Sequence, residues 1–104
     1  MIGYVMVGTN DLNKAISFYD EILKSLNIKR VETNSDYAAY APIEKPAEIE
    51  FYVTKPFDKE KATSGNGTQI SFVTVSRKIV DEFHKTGLKA GGKSEGSGGE
   101  RPPN

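Results

Sequence analysis

The carboxylates of "EIEFYV", residues 48–53, are the side chains of this chain best placed for chemistry. Successive strand residues point to opposite faces, so Glu48, Glu50 and Tyr52 share one side while Ile49, Phe51 and Val53 take the other. A carboxylate so placed can ligate a divalent cation, move a proton or anchor a ligand. Other reactive types are sparse. His84 is the only histidine, and one imidazole makes neither a triad nor a metal centre by itself. On a helix, four residues after Val80, it reads as a ring packed near the sheet edge. The chain has no cysteine, which excludes disulfides, thiolate zinc sites and cysteine nucleophiles and fits a reducing compartment. "SGNGT" (64–68) holds a Gly-x-Gly that follows no strand and opens no helix, so it reads as a turn and not a phosphate loop. "AGGKSEGSGG" gives a nucleotide no better grip. Tyr37, Tyr40 and Tyr52 read as strand residues, some of them free to stack on a flat ligand.

The elements that must position these groups follow from periodicity. "IGYVMVG" (2–8) predicts a strand with Val5 and Val7 on one face and Ile2, Tyr4 and Met6 on the other. Asp11 or Asn10 suits a helix N-cap, because a short side-chain oxygen can accept from the first free N–H groups. Leu12, Ala15, Ile16, Tyr19, Ile22, Leu23 and Leu26 then follow helical spacing, and Asn27 can end the helix. "IKRVET" and "YAAYAP" predict two strands about the turn "NSD". Pro42 and Pro46 bracket a loop before "EIEFYV". "TKPFDKEKATSGNG" is a polar linker with turn signals. "TQISFVTV" predicts a strand with Ile70 and Phe72 opposite Gln69, Ser71 and Val73. Ser76 caps a second helix, "RKIVDEFHKTGLKAG", with apolar Ile79, Val80, Phe83 and Leu88. Gly87 inside it costs about 1 kcal/mol relative to alanine, which weakens the last turn.

Composition narrows the function classes. The chain has 104 residues and 37% hydrophobic residues, enough for one domain with a modest core. Fourteen basic residues balance fourteen acidic ones, and no basic run exceeds two residues. A nucleic-acid partner is therefore not expected. Near-neutral chains tend to self-associate. No apolar run approaches the length of a membrane span, and "MIGYVMVGTND" lacks the basic leader of a signal peptide. A cytoplasmic location is the expectation, with no membrane partner.

The chain also repeats. Placing Asp11 on Ser76, an offset of 65 (76 minus 11), sets Val5 on Ile70, Val7 on Phe72, Ala15 on Val80, Phe18 on Phe83 and Leu23 on Leu88 without a gap. Caps, strand faces and helix faces agree together, as a duplication requires. The first copy carries three strands after its helix. The counterparts of its last two would fall in or beyond "GGKSEGSGGERPPN", so that tail is expected to be the stump of an incomplete second module.

"VGTNDLNKAISFYDEILKSLNIKRV" resembles the opening of the vicinal-oxygen-chelate superfamily, the glyoxalase, bleomycin-resistance and extradiol-dioxygenase proteins. Asp11-Leu12, Phe18-Tyr19 and Leu26-Asn27 stand where that opening has Asp-Leu, Phe-Tyr and a Leu-Gly-like turn. "GNGTQISF", Phe83-His84 and "AGG" at 90–92 resemble the start of a second module. The resemblance implies an α+β fold of paired βαβββ modules, here a single glyoxalase-like domain. Module one would span 1–54, a linker 55–67 and a partial module two 68–104. It also implies a cup that holds a divalent metal and a small substrate, often completed by a second chain. The implied ligand places fall on Tyr4, Glu50 and Gln69, with a fourth past Asn104. Neutral tyrosine is a poor ligand, since its phenol gives up a proton only near pH 10, and a neutral amide is a weak one. Glu50 is the firm position, and its carboxylate is otherwise expected to bond Tyr4 or Tyr52. The expectation is a metal-free homodimer binding a small organic molecule between Tyr4, Met6, Glu50, Tyr52, Gln69 and Ser71. The alternatives are a metal-dependent lyase of the lactoylglutathione lyase kind or a dioxygenase, with Glu50 catalytic and Glu50 and Gln69 on one divalent ion, or an incomplete family member without activity of its own.

Overall fold

The computed structural model describes residues 2–63 and 65–92. The expectations for the tail beyond Gly92 lie outside them. Six elements follow in order: β1 (Val5–Gly8), α1 (Leu12–Lys24), β2 (Ile28–Thr33), β3 (Tyr37–Pro42), β4 (Phe51–Thr54) and α2 (Arg77–Lys89). The first five form a βαβββ unit with strand order β1-β4-β3-β2. β1 and β4 run parallel, and the other pairs are antiparallel. The chain is an α+β protein, and this unit has the βαβββ order that the resemblance implied.

Helix α1 supplies the core. Asp11 accepts from the Lys14 N–H at 3.1 Å, which meets one of the unpaired donors of the first turn. Leu12, Ile22 and Leu23 then bury against Ala38, Tyr40, Phe51 and Val53. Leu23 is 0% and Val53 1% exposed, each contributing roughly 1.5–3 kcal/mol relative to full exposure. Asn27 leaves the helix in the left-handed region at φ 57°, a conformation its short polar side chain tolerates.

Two local devices set the sheet. The Asn34 carboxamide oxygen accepts from the Asp36 and Tyr37 N–H groups at 2.8 and 2.9 Å, fixing the β2–β3 turn. A bulge between Arg30 and Glu32 shifts the register there. Residues two apart ordinarily share a face, and the bulge separates these two. Arg30 turns toward α1, where it holds Asp20 through two hydrogen bonds of 3.2 and 3.0 Å. Glu32 turns to the opposite face and accepts from the Tyr37 hydroxyl at 2.7 Å.

Three expectations need correction. The strand expected over 48–53 starts only at Phe51. Consecutive turns, Lys45 N–H to Pro42 C=O and Glu48 N–H to Lys45 C=O, take up Glu48, so the two carboxylates do not share a strand face. The strand expected over "TQISFVTV" forms no ladder among the described residues. Its burial still alternates: Ile70, Phe72 and Thr74 are half-buried, while Gln69, Ser71, Val73 and Val75 are exposed. Phe72 seats on Phe51 and Phe83, with centroids 5.4 and 6.1 Å apart. Apolar contact sets a residue's face, but a strand also needs a neighbouring backbone to bond. Finally, Val80 and Leu88 were expected on the apolar side of α2, yet each is 43% exposed.

The repeat is visible in the helices. α1 and α2 each have 13 residues, and Leu12–Lys24 maps onto Arg77–Lys89 at the offset read from the sequence. Ser76 accepts from the Ile79 N–H at 3.2 Å, as Asp11 does from Lys14. The α2 helix continues through Gly87, and a Cβ there would lie 3.9 Å from the Ile22 Cγ2. The two helices thus pack against each other near Gly87 and Ile22, with room for a methyl group at ordinary contact distance.

Candidate ligand-binding face

Helix α1 covers one face of the sheet, and side chains of the strands line the opposite one. Register sets Met6 beside Tyr52 and Tyr52 beside Ala39. Three tyrosine rings form a row there. Tyr4 and Tyr37 both meet Tyr52 edge-on, with centroids 5.1 and 5.5 Å away and interplanar angles of 69° and 73°. Such edge-to-face pairs fix ring orientation and leave flat surfaces available for stacking. Ala39 lies beneath them at 0% exposure, whereas Tyr4 and Met6 stand 57% and 49% exposed. Beside Glu32, the Tyr37 phenol is raised above its ordinary value, first by its hydrogen bond to that carboxylate. Tyr37 therefore keeps its proton and presents a neutral ring. Tyr40 lies on the helix side, fully buried, and donates to Asp20 at 2.9 Å.

Of the six residues expected to line a cup, Tyr4, Met6 and Tyr52 come together on this face. Glu50 opens β4 through its backbone: its N–H bonds Tyr40 C=O at 3.1 Å and its C=O accepts from Val5 N–H at 3.0 Å. Its carboxylate is exposed and, among the described residues, bonds neither Tyr4 nor Tyr52, contrary to expectation. Glu50 and Ser71 instead border a separate cleft of about 290 Å³ with Val5 and Phe72. Gln69 donates to Ser71 at 3.3 Å, both exposed.

Sequence reasoning missed one part of the site. Where the row reaches Gly8 and Thr54, the linker crosses the sheet. A groove of about 760 Å³ opens there between Met6, Tyr37 and Thr54 on the sheet and Lys55, Phe57 and Lys59 on the linker. Gly8 lets the linker come close, since a Cβ on that residue would stand 3.3 Å from the Ala62 Cβ. Asn10 fastens the linker from both ends of its carboxamide, donating to Ala62 C=O at 3.1 Å and accepting from Ala62 N–H at 2.7 Å. A lone phenylalanine in the polar run "TKPFDKEK" was the available signal. Phe57 is fully exposed at the tip of this segment.

The side chains present do not fit the divalent metal that the resemblance implied. A centre needs three or four converging donors. Among the described residues no group of three His, Asp or Glu converges. Tyr4 packs its ring on Tyr52, and Gln69 bonds Ser71. Among the described residues Glu50 is left as a single carboxylate.

The fold and face define an α+β protein of the βαβββ kind with an open aromatic sheet face. No family model and no curated protein matches the chain. Among solved structures it is similar to a glyoxalase/bleomycin resistance protein from Albidiferax ferrireducens T118, at 36% sequence identity and a TM-score of 0.79. The match covers 97% of this chain and 75% of that one. This chain belongs to the glyoxalase/bleomycin resistance proteins, within the vicinal-oxygen-chelate superfamily.

Proposed function

We propose that the protein binds a small organic molecule on the aromatic face of its sheet, without a metal and without transforming it. The observation that carries this reading is the tyrosine row itself. Tyr4, Tyr52 and Tyr37 hold fixed mutual orientations on the sheet face opposite α1, and among the described residues no three metal donors converge. Aromatic walls with few polar groups favour flat organic ligands. Sequestration of a small molecule requires nothing more.

The same reading includes a homodimer. β1 is a sheet edge, and edges invite pairing with another chain. Ile2 is 76% exposed, and Val73 and Val75 are each 93% exposed. Exposed apolar surface of this kind favours a protein partner. Sedimentation equilibrium is expected to give twice the chain mass, and a monomer at all concentrations would remove this part of the proposal.

Two measurements test the binding function. Elemental analysis of protein purified without chelator is expected to find no stoichiometric Ni, Zn, Fe or Mn. One equivalent of any of them would return the lyase or dioxygenase alternative. Calorimetry against a panel of flat aromatic compounds is expected to show at least one saturable isotherm.

A further inference from the structure

We infer that the linker forms the closing wall of the ligand site, and that the groove beneath it takes a flat aromatic molecule of no net charge with Phe57 as the closing ring. This rests on the small-molecule reading and adds to it a location and a ligand class.

The location follows from how the linker is held. Thr9 N–H bonds Thr54 C=O at 2.9 Å and Lys55 N–H bonds Asp36 C=O at 2.8 Å, which fixes the start of the linker to the sheet. Asn10 fixes it again at Ala62 through its paired bonds. Between these anchors lies one tight turn, with Lys59 N–H on Pro56 C=O at 3.0 Å and Asp58 accepting from Glu60 N–H at 2.9 Å. Lys59 stands in the left-handed region at φ 64°, a conformation costly for a residue with a Cβ. The turn is held at both ends, and it presents Phe57.

Phe57 is the side chain that a ligand in the groove would cover. Its side chain is wholly in solvent, although burying a phenylalanine stabilises by roughly 1.5–3 kcal/mol. It lines the same groove as Tyr37 and Met6. A flat ring seated between them would give Phe57 its missing contact. Thioether and aromatic edges suit an aromatic guest.

The charge follows from the lining. Lys55 and Lys59 face Asp36 and Glu60 around the same groove, two cations against two carboxylates. An anion gains nothing net there, and a neutral ring loses nothing.

The test is an NMR titration of the ¹⁵N-labelled full chain with 2-naphthol, and separately with the anion 2-naphthoate. Saturable shifts of the Thr54, Lys55, Phe57 and Lys59 amides are expected, with 2-naphthoate binding no tighter than 2-naphthol. Phe57→Ala, at a fully exposed position, should leave the spectrum folded and weaken 2-naphthol by about fivefold or more. The chain has no tryptophan, so Phe57→Trp adds a single reporter whose emission should shift on binding. Shifts confined to Tyr4 and Tyr52, with Phe57→Ala binding as wild type, would overturn the groove while leaving binding on the open face intact. Tighter binding of 2-naphthoate would overturn the charge assignment. The absence of any saturable shift with either compound would overturn the groove, while the calorimetric panel decides the binding function separately.

Discussion

Tyr40 shows how a single residue ties this fold together. Its ring fills the core and its hydroxyl reaches Asp20 on α1, which Arg30 of β2 holds from the other side. Burial, then the bond to Asp20, raises its phenol well above the ordinary value of 10.0. The sign of the consequence follows from proton linkage. Below pH 10 both folded and unfolded states keep the proton, and the contribution is constant. Above it the unfolded state loses the proton first, so stability falls as pH rises. Thermal melts of wild type should therefore drop between about pH 10 and 11, with a smaller drop in Tyr40→Phe. At pH 7 that variant should lose about 1 kcal/mol, one hydrogen bond's worth, because Asp20 retains Arg30. An unchanged alkaline profile in Tyr40→Phe would mean that another group governs it. Sequence placed Tyr40 on a strand beside Tyr37 and Tyr52 but did not separate their roles. Pleat parity decides that: Tyr40 and Tyr37 are an odd number of positions apart and face opposite ways.

At the scale of elements, the two helices share length and cap but differ in what lies beneath them. α1 buries Leu12, Ile22 and Leu23, whereas α2 has no buried residue. Removing either cap costs about 1 kcal/mol locally. Asp11→Ala should lower the global unfolding midpoint, because α1 is part of the core. Ser76→Ala should chiefly speed amide exchange in α2 and leave the midpoint nearly unchanged, since a weakly packed helix opens on its own. Equal effects in both assays would show that α2 is as integral as α1. Most elements were legible because each carries a local signal: helical spacing after Asp11, the Asn34 turn, alternation in "FYV". The 69–75 segment was legible only in part. Its alternation was real and its faces came out as read, but a ladder depends on a partner strand that no local pattern encodes. The bulge at Val31 likewise left no mark in the sequence, although it decides that Arg30 and Glu32 serve opposite faces.

For the whole molecule, one face of a four-stranded sheet is closed by a helix and the other is open, aromatic and walled at one end by a fastened linker. The family was legible from Asp11-Leu12 and Phe18-Tyr19, but the site was legible only where it lay on strands. Tyr4, Met6 and Tyr52 share a face by simple parity. Glu50 and Ser71 part from them because turns and a missing ladder redirect the chain, and the groove at Phe57 is created by long-range bonds from Asn10. The central claim is metal-independent binding on the tyrosine row. Isothermal calorimetry of the full chain with the aromatic panel, before and after EDTA treatment and in Tyr52→Ala, tests it most directly. The expected result is a saturable isotherm that EDTA leaves unchanged and that Tyr52→Ala weakens by about tenfold, consistent with the loss of a stacking ring at a contact centre. An isotherm that vanishes with EDTA and returns with added metal, or no isotherm with any compound, would contradict it.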